Sequence, residues 1–124
     1  MEHLVCDKVT KPLPIFSHVT IHNGIANISC VQGFIPKTFE FPSTEAGPQA
    51  RQVLENLQTI LESSGMNLMR VLKITIFLVH TEDFPAINEA INEAFPVNPP
   101  ARTAVVVAEL PRHARVVIEA IAAA

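Results

Sequence analysis

The sequence predicts an α+β domain in which two helices pack on one face of a mixed β-sheet, in the order ββαβαββ. An Asn-Gly pair separates two apolar, strand-like segments near the N-terminus, and two later stretches carry apolar residues at helical spacing. Between those stretches lies an almost continuously apolar segment rich in β-branched residues. Because a helix with one apolar stripe must bury that stripe against another element, both helices are expected to cover the sheet. The length of 124 residues fits a single domain covering residues 1–124.

The chain is expected to open with a β-hairpin. Residues 16–21 and 25–31 are the predicted strands, and Asn23 and Gly24 lie in the turn between them. An Asn-Gly pair accepts the positive φ angles of a tight hairpin turn. The segment from residue 33 to residue 43 contains two prolines and is expected to be a loop.

Two amphipathic helices are predicted further along the chain. In the first, apolar residues recur at helical spacing over residues 46–61, and Gly65 supplies a C-terminal stop. Either Ser43 or Thr44 is its expected N-cap. The second predicted helix covers residues 84–95 and ends before a cluster of prolines.

Three further strands complete the predicted sheet. Residues 71–79 are almost continuously apolar, which is typical of a mid-sheet strand covered on both faces. Residues 103–108 and 114–122 form the last two predicted strands, joined by a turn around Pro111. Since 48% of the residues are hydrophobic and only 17% are charged, we expect apolar surface on the uncovered face to close against other copies of the chain. The sequence therefore predicts a homo-oligomer.

Charge and cysteine content argue against several classes of function. The formal net charge is −3 and the basic residues form no cluster, so nucleic acid is not an expected partner. The two cysteines are too few for a disulfide framework, and no His or Cys spacing is typical of a metal site, so no metal is expected. No stretch has the pattern of a signal peptide or of a membrane span. We therefore expect a cytoplasmic protein without membrane contact.

The segment PARTAVVVAELPRHARVVIEAIA, residues 100–122, carries the candidate chemistry. Arg102 keeps its positive charge, and its planar guanidinium matches the geometry of a carboxylate. Glu119 lies among aliphatic residues of a predicted strand, where an unpaired carboxylate is costly. These two residues form the candidate catalytic pair, although an Arg and a Glu near strands are also typical of a structural ion pair.

Several segments follow one recognisable pattern, which comprises Pro100-Ala101-Arg102, Leu110-Pro111, Ile118-Glu119-Ala120-Ile121, Gln49-Ala50-Arg51-Gln52, Asp83-Phe84 and Asn88. This pattern resembles the YjgF/Rid family, the reactive intermediate deaminases, and the segment around Gly33 is similar to that family's Ser-Gly-Gln-Ile-Pro. The resemblance implies a chorismate-mutase-like fold assembled as a homotrimer, with pockets between neighbouring subunits. It also implies hydrolysis of 2-enamino and 2-imino carboxylates, such as 2-aminoacrylate and 2-iminopropanoate, to 2-oxo acids and ammonia without a cofactor.

The resemblance also implies roles for individual residues. Arg102 would bind the substrate carboxylate, helped by the backbone N–H of Ala104, and Glu119 would position and activate the attacking water. Phe16 stands where many members have a tyrosine, so it would wall the pocket without a hydroxyl contact. The departures at Phe16 and Ala104 predict a substrate preference that differs from the best-known subgroup, toward a bulkier or more apolar imino acid or a pathway-specific enamine. The candidate substrate-binding residues are Arg102, Ala104, Phe16, Gly33 and Asn88.

Two other functions remain open at this point. The first is a non-catalytic protein of the same fold that binds 2-oxo acids or similar carboxylates through Arg102. The second, a ribonuclease or translation inhibitor, is disfavoured by the acidic charge balance. Cys30 is expected to be a small buried hydrophobic residue, and Arg112 and Arg115 are expected in a solvated turn. The histidines are expected at surface or hairpin positions, with His18 the one closest to the pocket.

Overall fold

The computed structural model describes residues 1–12 and 15–124, which form a six-stranded mixed sheet and two α-helices. The strands are β1 (Glu2–Leu4), β2 (Val19–His22), β3 (Ile25–Gln32), β4 (Val71–Leu78), β5 (Ala101–Val106) and β6 (Val116–Ala123). The helices are α1 (Ala46–Ser63) and α2 (Phe84–Ala94). Short 3-10 turns precede β4, α2 and β6, at Leu68–Arg70, Thr81–Asp83 and Pro111–His113.

The order of strands across the sheet is β1-β2-β3-β6-β4-β5. All neighbouring strands are antiparallel except β4 and β5, which run parallel and are connected through α2. The C-terminal strand β6 therefore lies inside the sheet, between β3 and β4. The predicted mixed sheet with two helices is confirmed, and the last two strands begin and end within two residues of their predicted bounds.

The predicted hairpin joins β2 to β3. Asn23 and Gly24 have φ angles of 51° and 76°, as the two central residues of a tight hairpin turn require. The predicted start of the first strand at residue 16 was wrong, because β2 begins at Val19. The ring of His18 instead bonds to the backbone of the N-terminal segment.

A short N-terminal strand was not predicted. Glu2, His3 and Leu4 pair with β2 in an antiparallel ladder, so the observed order is βββαβαββ. A three-residue segment is too short for an alternating apolar pattern to be distinguished from chance.

Both ends of α1 depend on local backbone chemistry. Its N-cap is Glu45, so the prediction of Ser43 or Thr44 was wrong. The Ser43 hydroxyl accepts the backbone N–H of Glu45 and forms a turn just before the helix begins. The predicted stop is confirmed, since Gly65 has a φ angle of 76° immediately after the helix.

The two helices cover one face of the sheet. Helix α1 packs against β3, β6 and α2, and the buried side chains of helices and strands form one hydrophobic cluster. On β4, Ile74, Ile76 and Leu78 are fully buried, whereas Leu72 and Lys73 are exposed. The prediction that this strand is covered on both faces was therefore wrong for a single chain.

The opposite face of the sheet is uncovered in one chain, and we call it the open face. The open face carries both apolar and polar side chains: Cys30, Gln32, Thr75, Phe77, Thr103, Val105, Val117, Glu119 and Ile121. No helix of residues 1–12 and 15–124 is long and apolar enough to cross a lipid bilayer.

Candidate functional site

Arg102 and Glu119 lie on opposite faces of the sheet within one chain. In the parallel pairing of β4 with β5, Arg102 lies beside Ile74, whose side chain is fully buried in the core. In the antiparallel pairing of β4 with β6, Glu119 lies beside Thr75, the next residue along β4. Because successive side chains of a strand point to opposite faces, Arg102 is on the helix-covered face and Glu119 is on the open face. A single chain therefore does not bring the two candidate catalytic side chains together.

Arg102 is accompanied by two of the candidate substrate-binding residues. Its guanidinium Nη2 donates a hydrogen bond to Oδ1 of Asn88, which lies on α2. Ala104 lies further along β5 on the same face and packs against the hydrophobic core. Arg102 is exposed, and a guanidinium has five N–H donors. Donors beyond the one that Asn88 accepts can therefore meet an anion arriving from solvent.

Glu119 lies opposite an irregularity in the sheet. The pairing of β3 with β6 shifts between Ile28 and Val31, so Ser29 and Cys30 together face Glu119. Desolvation of the thiol, with a further contribution from the negative charge of Glu119, raises the pKa of Cys30 to about 11. The expectation that Cys30 is buried was wrong, because this residue is exposed on the open face although its sulfur is partly desolvated.

A cavity of about 310 Å³ adjoins Phe16 and Cys30. It lies beside the part of β3 that extends past Val19, the first residue of β2, and it is bounded by the N-terminal segment, α1 and the loop that follows β3. Phe16, the candidate wall residue, is 45% exposed and lines this cavity. Other lining residues include Val31, Gln32, Phe34 and Ile60.

Gly33 packs closely against α1. A Cβ added at this position would lie 2.7 Å from the backbone oxygen of Gln49 and 3.3 Å from the side chain of Val53. The first distance is shorter than real contacts allow, and a helix backbone cannot move aside cheaply. Close packing thus requires glycine here, and the participation of Gly33 in substrate binding stays a prediction.

Comparison with known proteins identifies the family. A family model described as Endoribonuclease L-PSP matches residues 8–124. The chain belongs to the YjgF/Rid family. It is 38% identical over 116 residues to Reactive Intermediate Deaminase A, chloroplastic, of Arabidopsis thaliana, a match that covers 94% of this chain and 62% of that longer relative.

Two further relatives of this Rid-family chain agree in sequence and in structure. The 2-iminobutanoate/2-iminopropanoate deaminase of Homo sapiens is 34% identical over 107 residues, which cover 86% of this chain and 78% of the human protein. The crystal structure of RidA from an Antarctic Psychrobacter species superposes with a TM-score of 0.94 at 32% identity, and the match covers 100% of both chains.

Asp83 has a structural role that sequence reasoning missed. Nε and Nη2 of Arg115 donate to the two carboxylate oxygens of Asp83, each at 2.9 Å. The backbone N–H of Arg115 donates to Oε1 of Gln49 at 2.8 Å. The expectation of a solvated Arg115 was wrong, because this residue, just before β6, bonds to Gln49 in the first turn of α1 and to Asp83 at the N-cap of α2. Asp83 and Gln49 belong to segments that resemble the Rid family, and this was the available signal for their importance.

His18 is buried and not at the surface, and it lines the cavity. Its Nδ1 accepts the backbone N–H of Cys6 at 2.8 Å, so the ring proton lies on Nε2, which is 3.1 Å from the backbone oxygen of Thr10. Burial lowers the pKa of His18, an effect that the bond to Thr10 offsets only in part. No group of three or more His, Cys, Asp or Glu side chains in the described part of the chain is arranged to hold a metal ion.

Proposed function

We propose that this chain is a hydrolytic deaminase that converts 2-imino carboxylates, and their 2-enamino tautomers, to 2-oxo acids and ammonia. The observation that carries the proposal is the placement of Arg102 beside Asn88 on one face of the sheet and of Glu119 on the other. This placement fits a site shared by two copies of the chain. The names of the Arabidopsis and human relatives support the class of reaction.

The open face supports assembly of the chain into a homotrimer. Ile121 and Val105 are exposed large apolar residues on this face, and Leu72 is exposed at the start of β4. Burying such surface against another copy is favourable by roughly 25 cal/mol per Å². In the proposed assembly, Glu119 of one copy and Arg102 of its neighbour face the same substrate.

Arg102 binds the carboxylate of the substrate. Two parallel N–H···O bonds from one guanidinium fix both the position and the orientation of a carboxylate. Asn88 holds the guanidinium in place before the substrate arrives. The backbone N–H of Ala104 adds a donor, and Gly33 and Phe16 contact the substrate from the side that carries Glu119. Orientation of this kind presents the neighbouring C=N carbon to a water molecule.

Glu119 activates that water, and no cofactor is involved. The water oxygen bonds to C2 of the imine while Glu119 takes one proton, and the C=N π electrons move to nitrogen. Glu119 returns the proton to nitrogen, which gives a 2-amino-2-hydroxy acid. The hydroxyl proton then transfers to the amine, the C2–N bond breaks, and ammonia leaves with formation of the 2-oxo group. A positioned carboxylate is worth about 10²–10⁴-fold in rate for such proton transfers.

Decay of imines released by an L-amino acid oxidase tests the reaction. The wild type should accelerate hydrolysis, Glu119→Gln should lower kcat by about 10²-fold or more, and Arg102→Met should mainly raise KM. Arg70→Met and Glu109→Gln, which change exposed residues elsewhere, are the matched controls and should keep wild-type rates. A wild type that does not exceed the uncatalysed rate contradicts the proposal.

Mixing the two impaired variants, at a substrate concentration well below the KM of Arg102→Met, tests the shared site. If each site takes Arg102 from one copy and Glu119 from another, random assembly of Arg102→Met with Glu119→Gln subunits restores one site in about four. If one chain supplied both residues, the mixture would be no faster than the two variants assayed separately. Co-expression of the two variants with different affinity tags gives the material for this assay, and in isolated mixed trimers the restored fraction rises to about one site in three.

The same measurements separate the alternative functions. A wild type that binds 2-oxo acids through Arg102 but does not accelerate imine hydrolysis would be a carboxylate-binding protein. The family description names an endoribonuclease, yet a net charge of −3 offers a polyanion little attraction. RNA cleavage by nuclease-free protein that persists at high salt and in Arg102→Met would favour the ribonuclease function.

A further inference from the structure

We propose that the cavity beside Phe16 is the subsite for the substrate side chain, so that the preferred substrates are 2-imino acids with large apolar side chains. This inference rests on the proposed deaminase function and specifies its substrate class. Four features support it: the position of the cavity, its lining, its proximity to Glu119, and its volume.

The cavity occupies a gap in the fold. Strand β2 pairs with β3 only as far as Val19 opposite Ile28, whereas β3 runs on to Gln32. Ser29 still donates hydrogen bonds to the backbone oxygens of His18 and Ser17, so the edge of β3 faces the cavity in place of a neighbouring strand only from Cys30 onward. On the far side, Ile60 of α1 forms part of the wall.

The lining is mostly apolar and contains no carboxylate among the described residues. Phe16, Phe34 and Ile60 contribute aromatic and aliphatic surface. The charged lining residues are Lys11 and Arg112, both exposed. An apolar side chain loses no hydrogen bonds on entering such a cavity, whereas a cationic side chain meets two like charges.

The cavity comes near the proposed catalytic carboxylate, although Glu119 is not itself one of its lining residues. Cys30 lines the cavity and also faces Glu119 across the irregularity between β3 and β6. Gln32 lines the cavity and lies on the same sheet face as Glu119. A C2 atom placed beside the water of Glu119 therefore has the cavity within reach of its side chain.

The cavity is larger than the side chain of the smallest 2-imino acid substrates. One water takes up roughly 30 Å³ in the liquid, and the cavity measures about 310 Å³. The methyl group of 2-iminopropanoate leaves most of that space unfilled. Each further buried methylene is worth a factor of about four in an equilibrium, so a leucine-sized side chain should gain at least about tenfold in kcat/KM over a methyl group.

The test compares imines derived from alanine, leucine, phenylalanine and arginine, released by an L-amino acid oxidase with catalase present. The leucine and phenylalanine imines should be hydrolysed with kcat/KM at least about tenfold above the alanine imine, and the arginine imine should be the poorest. A wild type that accelerates none of the four overturns the deaminase proposal itself. A wild type that prefers the alanine imine, or hydrolyses all four equally, overturns the subsite alone.

Two variants probe the cavity directly. Ile60→Phe adds bulk to the far wall, away from Glu119, and should lower kcat/KM for the leucine imine about tenfold with little change for the alanine imine. Lys11→Glu changes an exposed residue, so it preserves folding and should raise the relative rate for the arginine imine several-fold. Lys8→Glu, an exposed charge reversal outside the lining, should leave that relative rate unchanged. Equal effects on all imines in both lining variants would contradict the subsite.

Discussion

His18 shows how one ring can hold a segment of chain in place. Its Nδ1 accepts the N–H of Cys6, while its Nε2 donates to the backbone oxygen of Thr10. Only the neutral ring can do both, because protonation puts a hydrogen on Nδ1 and turns two donors toward each other. The anchoring of the N-terminal segment beside the cavity therefore depends on pH.

We expect the free energy of unfolding to decrease as the pH falls below 6.5, the ordinary pKa of histidine. Burial lowers the pKa of His18 in the folded state, so the unfolded chain takes up the proton first. The stabilisation of the folded state by neutral His18 is complete above pH 6.5. It is lost as the pH falls through the lower pKa of His18 in the folded state. Urea unfolding at about pH 7.5 and about pH 5.5 measures this loss.

Two asparagine variants provide the comparison. His18→Asn keeps an acceptor for the Cys6 N–H but does not titrate, so its stability should depend less on pH than that of the wild type. His113→Asn changes an exposed histidine and should retain the wild-type dependence. If His18→Asn responds to pH as strongly as the wild type does, another group is responsible.

Cys30 reports on the charge of Glu119. With its pKa raised to about 11, the thiol is almost entirely protonated at neutral pH and should react slowly with iodoacetamide. Glu119→Gln removes the nearby negative charge and should increase the alkylation rate of Cys30 several-fold, as followed by mass spectrometry of the intact protein. Glu109→Gln should not, and an unchanged rate in Glu119→Gln would argue against the proximity of these two side chains.

The contact between Asp83 and Arg115 connects the residue before β6 to the N-cap of α2. Both carboxylate oxygens are bonded, and Asp83 is only 9% exposed. Asp83→Asn replaces one acceptor with a donor that faces the guanidinium, and it should lower the free energy of unfolding by about 1.5–3 kcal/mol. Glu93→Gln, which breaks the exposed pair with Arg51, should change stability little in the same urea titration. Similar losses in both variants would contradict a special role for Asp83.

Sequence patterns predicted correctly those structural elements that are determined by residues close together in the sequence. The Asn23-Gly24 turn, the two amphipathic helices and the stop at Gly65 each depend on neighbouring residues, and all were found. The strand β1 and the one-sided coverage of β4 depend on partners distant in sequence. An almost continuously apolar strand does not reveal whether its second face is covered by the same chain or by another copy.

The candidate site likewise depends partly on sequence motifs and partly on strand pairing between distant segments. Arg102 and Glu119 were recognisable as residue types in a family pattern, but their faces are set by the registers of β5 and β6 against β4. A shift of one residue in either register would reverse the face of one side chain, and the spacing along the sequence does not fix that register. The roles of His18 and Asp83 were missed because their partners are remote segments.

The uncovered face of the sheet is the surface on which the proposed assembly of the whole molecule depends. Ile121 lies on this face next to the row of Glu119, and it is 37% exposed in one chain. Ile121→Glu should give a folded monomer with wild-type circular dichroism but without deaminase activity, as judged by light scattering and the imine assay. Met69→Glu, at an apolar position 92% exposed in the turn before β4, should leave both mass and activity unchanged. An active Ile121→Glu monomer would contradict the shared site.

The opposite orientations of Arg102 and Glu119, with the shared site proposed from them, predict how activity depends on protein concentration. When two halves of a site belong to different molecules, dilution separates them without unfolding either one. Turnover per chain should then drop steeply once the concentration falls below the dissociation constant of the assembly. Expression level itself would thus set a threshold beneath which a cell contains intact chains but no working catalyst.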